Sequence, residues 1–254
     1  MARYQVILAY DGSGFTGSQR QANSRTVQGA LEKALYQIGW TGTSVIMAGR
    51  TDSGVHAAGQ VAAFDFDEWS HEAKRLLLAL NAKLPADMAV KRIKPVQADF
   101  HPRFDALARL YGYRLFCEPI RDPLRERFTW RLWPRLDGDA LKSTADVFLG
   151  THDFAAFGSP TSEKGTTTRT VTTSEWKRKL NGEWQFEIRA DAFLYRMVRR
   201  LVFVQVAVAQ GRCSVENIRL ALKKEQGKAL PAGLAPAQGL SLNDVEYGSL
   251  NRRK

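Results

Sequence analysis

Three observations predict an α+β fold made of two similar halves. Short runs of alternating apolar and polar residues recur along the chain, capped amphipathic helical stretches separate them, and the order β-α-β-β-α-β reads twice. The 254 residues suffice for two halves of moderate size, placed here at 1–108 and 109–254. Antiparallel strands with helices segregated to one face give one large, mainly antiparallel sheet, whose open face is a natural cleft for a polyanion.

The first half begins with Tyr4, Val6, Leu8 and Tyr10 alternating with Gln5, Ile7 and Ala9, a strand that ends at Asp11-Gly12-Ser13-Gly14. A glycine- and amide-rich loop, Phe15 to Gln21, follows. Thr26 caps a helix with Val27, Leu31, Leu35 and Ile38 on its apolar face, and Gly39 ends it. Strands are predicted at Thr43–Met47 and Gln60–Phe66. A second helix buries Ala73, Leu76, Leu77 and Leu80 and stops before Pro85, and a strand runs over Met88–Ile93.

The second half opens with a strand over Arg109–Phe116 that sets Tyr111 and Tyr113 on one face. Residues 117–136 are rich in proline and arginine and read as an irregular basic excursion. Asp137 or Asp139 opens a helix carrying Leu141, Ala145 and Phe148, with Gly150 at its end. Ser159–Gly165 reads as a mobile loop. Arg169–Arg178 and Glu183–Ala190 form a hairpin around Asn181-Gly182. A long helix spans about Leu194 to Ala209, with Arg196, Arg199 and Arg200 on one face of its first turns. Ser214 caps a shorter helix, and a last strand starts at Gly239-Leu240.

Composition narrows the function classes. The formal charge of +11 and pI near 9.8 favour a polyanionic partner, nucleic acid first, and no low-complexity arm carries the excess. No apolar run approaches the ~20 residues of a membrane span, and the N-terminal residues read as neither a signal nor a transit peptide. Cys117 and Cys213 are too few for a zinc site or a disulfide framework, which fits a cytoplasmic protein with reduced thiols.

The most informative stretch is Ala48-Gly49-Arg50-Thr51-Asp52-Ser53-Gly54-Val55-His56-Ala57, between two strands. Gly49 and Gly54 can frame a tight turn that presents Asp52. On these residues alone, two readings stand: a surface turn with Asp52 paired to Arg50, or a presented catalytic carboxylate. Tyr111 reads as core or as a surface on which a base stacks. Cations at the mouth of a buried helix, Arg199 and Arg200, need an acid, a phosphate or solvent.

Gly49–Ala57 resembles the signature of the tRNA pseudouridine synthase A family. So do Thr26-Val27-Gln28-Gly29, Arg103–Ala106, Arg109–Tyr113, Gly150–Phe154, Ala192–Arg199 and Ala235–Leu240, in order and over almost the whole chain. Two positions depart from the family pattern. Ser18 stands where an aromatic is usual, which is expected to alter contacts to RNA. Phe203 stands where glycine is common, which is expected to change helix packing only.

The resemblance implies a duplicated ferredoxin-like fold and an enzyme that isomerises uridine to pseudouridine at positions 38 to 40 of the tRNA anticodon stem–loop. It implies no cofactor and no metal, tRNA as partner, and a cytoplasmic homodimer. By the same resemblance Asp52 is the nucleophile, Arg199 its positively charged partner and Arg50 the residue that holds the flipped nucleotide out of the stack. Tyr111 stacks on the target base and Leu240 walls the pocket. His56 reads as structural, hydrogen-bonded within the turn. Two other classes compete: a non-catalytic RNA-binding module, which gains nothing from Asp52 in its most ordered loop, and an aspartate-dependent nuclease, for which the acids are too scattered.

Overall fold

The computed structural model describes residues 2–134, 136–161, 165–224 and 229–248. Two units are distinguished, Met1–Leu107 with Ser241–Lys254, and Ala108–Leu240.

In the first unit β1 (Arg3–Tyr10) lies between β3 (His56–Asp65) and β4 (Met88–Val96), antiparallel to both. Val6 and Leu8 are fully buried and Tyr4 and Tyr10 nearly so, as the alternation requires. Thr26 caps α1 (Val27–Tyr36) by accepting from the Gly29 amide, and Val27, Leu31 and Leu35 are buried. In α2 (Ala73–Asn81) Leu76 and Leu80 are buried while Leu77 is half-exposed. The strand predicted over 43–47 shrinks to β2 (Ile46–Met47), paired with β3. Val45 donates its amide to the buried Glu32 carboxylate, so that stretch is tied to α1 and not to a strand.

In the second unit β5 (Ala106–Cys117) pairs with β9 (Trp184–Ala190), β9 with β8 (Thr168–Arg178) and β8 with β7 (Gly150–Asp153), all antiparallel. The β8–β9 hairpin turns at Asn181-Gly182 as read from sequence, with Gly182 at φ +79. The described part of residues 117–136 is more ordered than expected. It holds α3 (Pro123–Glu126) and β6 (Trp130–Leu132), which pairs in parallel with β5. Arg121 and Arg131 pair with Glu126, and Arg125 reaches Glu183 at 3.4 Å. The excursion is therefore partly neutralised by its own acids and by a buried glutamate of the hairpin.

Asp137 caps α4 (Gly138–Asp146), which packs on β8 and on α5 (Met197–Ala209). The Trp176 indole donates to Gln205 at 2.8 Å, which satisfies the amide within the apolar α5. Ser214 caps α6 (Val215–Lys223). Residues 162–164 of the loop read as mobile lie outside the described residues. The last strand, β10 (Leu240–Tyr247), runs parallel to β3, with Ser241 opposite His56 and Leu242 opposite Ala57. Both units mix strands and helices, so the α+β class holds. No described helix is long and apolar enough to cross a membrane.

Candidate functional site

The Asp52 loop leads into β3 of the first unit, and its neighbours hold it on both sides. Ala48 donates its amide to Val61, and the fully buried Gln60 donates its side chain to the Gly49 carbonyl at 2.9 Å. Thr51 is 7% exposed: its amide donates to Ser18 Oγ and its hydroxyl lies 2.8 Å from that of Tyr10. Past the acid, the Val55 amide donates to the Asp52 carbonyl and Gly54 sits at φ +78, a left-handed turn that glycine adopts without strain. Gly49, expected to share that task, is not in the left-handed region, and its carbonyl accepts from Gln60. Asp52 is half-buried and Arg50 exposed, on either side of the anchored Thr51. His56 is buried, accepts from the Gly12 amide at Nδ1 and lies 3.1 Å from Asp11. That geometry suits the structural part expected of it.

The second unit carries the other candidates. Tyr111 on β5 is 9% exposed and meets the Phe193 ring edge-on, with centroids 5.0 Å apart. Tyr113, two residues on and on the same face, is fully buried and donates its hydroxyl to the Pro236 carbonyl at 2.8 Å. Burial pushes the Tyr113 phenol well above its ordinary pKa, and the nearby Arg199 guanidinium pulls it partly back. Arg199 in turn donates to the Ala235 carbonyl. Thus Tyr113 and Arg199 both hold the segment that ends at Leu240, which is 6% exposed.

The expected arginine face is only partly formed. Arg196 lies outside α5 as its N-cap at φ +62, with its guanidinium 4.7 Å from the centre of the half-exposed Tyr195 ring. Only Arg199 and Arg200 lie in the first helical turn. Arg200 donates to the carbonyls of Pro231 and Gly233, so backbone oxygens serve where an acid, a phosphate or solvent was expected.

Three residues were missed or misread in the sequence. Tyr113 reads as plain core there, because its carbonyl partner lies 123 residues away. Ser18, whose departure from the family pattern was expected to alter contacts to RNA, is 1% exposed and is turned inward onto Thr51, a part that was missed. Tyr10 reads only as an apolar strand residue. Among the described residues, no group of three or more His, Cys, Asp or Glu is placed to hold a metal ion.

Comparison with known proteins agrees with the motifs. A family model described as tRNA pseudouridine synthase matches residues 6–105 and 144–248. The chain is 39% identical over 250 residues to a tRNA pseudouridine synthase A of Geobacter sp. strain M21, covering 97% of this chain and 99% of the relative. It is 40% identical to that of Maridesulfovibrio salexigens, covering 98% and 91%. It is 36% identical to that of Leuconostoc citreum, covering 98% of each. With matches this long in both units, the chain belongs to the tRNA pseudouridine synthase family, isomerases that act on tRNA.

Proposed function

We propose that this enzyme converts uridine to pseudouridine at positions 38 to 40 of the tRNA anticodon stem–loop, with Asp52 as nucleophile. The observation that carries the reading is the setting of Asp52: a half-buried acid next to Thr51, which buried hydrogen bonds immobilise. A surface turn has no need of such anchoring, whereas a nucleophile must be held at a fixed angle to its target.

In the reaction the N1–C1′ bond breaks, the base turns, and C5 bonds to C1′. The hydrogen leaves C5 as a proton and N1 takes one up, so no electrons are gained or lost. Asp52 holds the detached fragment through either C6 of the base or C1′ of the sugar. Arg199 supplies compensating positive charge, and its donation to Ala235 holds the guanidinium in one orientation. Tyr111, braced by Phe193, stacks on the target base and assists proton transfer at C5. Arg50, exposed beside Thr51, enters the stack and holds the target nucleotide out. Leu240 walls the pocket with an apolar surface. The cytoplasmic homodimer is supported by the family resemblance.

The deciding experiment maps pseudouridine by carbodiimide adducts on unmodified tRNA transcripts treated with wild type and with Asp52→Asn. Adducts at positions 38 to 40 from wild type alone are expected. Modification elsewhere would overturn the site, and turnover by Asp52→Asn would overturn the nucleophile.

A further inference from the structure

Every polar group of Thr51 is engaged within the first unit. Its amide donates to Ser18 Oγ at 2.8 Å, its carbonyl accepts from the Ser18 amide at 3.0 Å, and its hydroxyl lies 2.8 Å from Tyr10 Oη. All three residues are at least nine-tenths buried. Ser18 is itself fixed to α1, since the Gln28 amide donates to its carbonyl at 2.9 Å and the Val27 amide donates to Gly17. Gly17 has φ +89, and a Cβ there would lie 3.0 Å from the Thr51 carbonyl oxygen, so the two backbones are in contact. A continuous path of hydrogen bonds thus leads from the first turn of α1 through Ser18 to the residue before Asp52.

That arrangement exceeds what holding a loop requires. A buried amide needs one acceptor, and a backbone carbonyl commonly serves. Here a side-chain hydroxyl reaches the amide, and a second hydroxyl from β1 takes the Thr51 side chain. Burial pushes the Tyr10 phenol up to about 12, so its hydroxyl stays protonated and available at any physiological pH. An aromatic side chain at position 18 has no oxygen in that place, so the clasp belongs to the serine of this chain.

We propose that Ser18 and Tyr10 are positioning residues that act through Thr51 to orient the Asp52 carboxylate. The inference rests on the reading of Asp52 as nucleophile. A shift of the carboxylate by a fraction of an ångström lowers the rate of the chemical step, and tRNA binding, spread over a large surface, is left nearly unchanged.

The test measures kcat, KM for unmodified tRNA transcript and Tm for Ser18→Ala, Tyr10→Phe, Thr51→Val, Thr51→Ser and Asp52→Ala. Ser18→Ala and Thr51→Val are expected to lose about ten- to a hundredfold in kcat with KM changed by no more than about twofold. Tyr10→Phe is expected to lose less, and Thr51→Ser, which keeps the hydroxyl, to recover most of the rate. Thr144→Val is the control: it removes a buried hydroxyl that donates to Ala140 in α4 and should lower Tm without changing kcat. Wild-type kcat in Ser18→Ala, or losses that follow Tm as in Thr144→Val, overturns the inference. Should Ser18→Ala fail to fold, Thr51→Val against Thr51→Ser decides alone. Turnover by Asp52→Ala overturns the nucleophile reading instead. An inactive Asp52→Ala beside a fully active Ser18→Ala removes the positioning role only.

Discussion

Arg199 and Ala235 are joined by a reciprocal pair of hydrogen bonds. The guanidinium Nε donates to the Ala235 carbonyl at 2.8 Å, and the Ala235 amide donates back to the Arg199 carbonyl at 3.1 Å. The first turn of α5 and the segment leading to Leu240 are thereby held in register by one residue from each. Arg199→Lys keeps the charge but loses the planar Nε donor. A fall in turnover on the order of tenfold is expected, the size of one charged hydrogen bond. Equal rates for the two side chains, measured under single-turnover conditions, would show that charge alone matters.

Tyr111 is packed edge-on against Phe193, so removing its hydroxyl leaves the ring where it is. Tyr111→Phe should keep Tm within about 2 °C of wild type and lower kcat by about a hundredfold, the scale of a lost proton-transfer group. A wild-type rate would return the residue to the core.

Arg127 is exposed in the segment where Arg121, Arg125 and Arg131 already face acids. If this surface meets tRNA, Arg127→Ala lowers affinity and reduces the salt slope of binding by about one. An unchanged slope in a titration across salt concentrations places the segment away from RNA.

Arg25 grips Asp87 through two hydrogen bonds of 2.7 and 2.8 Å, and this holds the Asp87 carboxyl below its usual value of 3.8. A depressed carboxyl stabilises the fold at pH above that ordinary value, and the contribution is lost as pH falls through the lowered one. Both side chains are partly exposed, so the effect is a few tenths to about 1 kcal/mol. Denaturant titrations between pH 5 and pH 2 should show a shallower acid limb in Asp87→Asn than in wild type. Parallel limbs would show that the pair contributes nothing.

Phe203, one of the two departures from the family pattern, is matched by Gly233. A Cβ at position 233 would fall 2.4 Å from the Phe203 ring, and Gly233 has φ +138. Gly233→Ala should cost about 1–3 kcal/mol, as overpacking does, and part of that cost should vanish in the Phe203→Ala background. Strict additivity in the double-mutant cycle would rule out the ring as the obstacle.

What the sequence revealed follows the range of the interactions concerned. Thr26, Asp137 and Ser214 cap helices through amides two or three residues away, and Asn181-Gly182 turns a hairpin within itself, so all were legible. The hydrogen bond of Ser18 to Thr51 was missed because the partner lies 33 residues off. Arg125 read as part of an irregular basic excursion because Glu183, which it reaches, lies 58 residues along the chain. The position of Asp52 was legible only through its motif. The turn at Arg196 left no mark, since it places a non-glycine residue where glycine is usual.

The pairing of β10 with β3 sets an order on biosynthesis. β3 begins right after the Asp52 loop, yet its partner at His56 and Ala57 is supplied by Ser241 and Leu242. On a translating ribosome, the whole of residues 108–240 is made before that partner emerges, an interval on the order of ten seconds. During that time the N-terminal segment can collapse around β1 and α1 while the start of β3 lacks its last neighbour. The strand that follows the Asp52 loop therefore gains its β10 neighbour only after residues 108–240 have been made, so a nascent chain carries that loop long before its surroundings are complete.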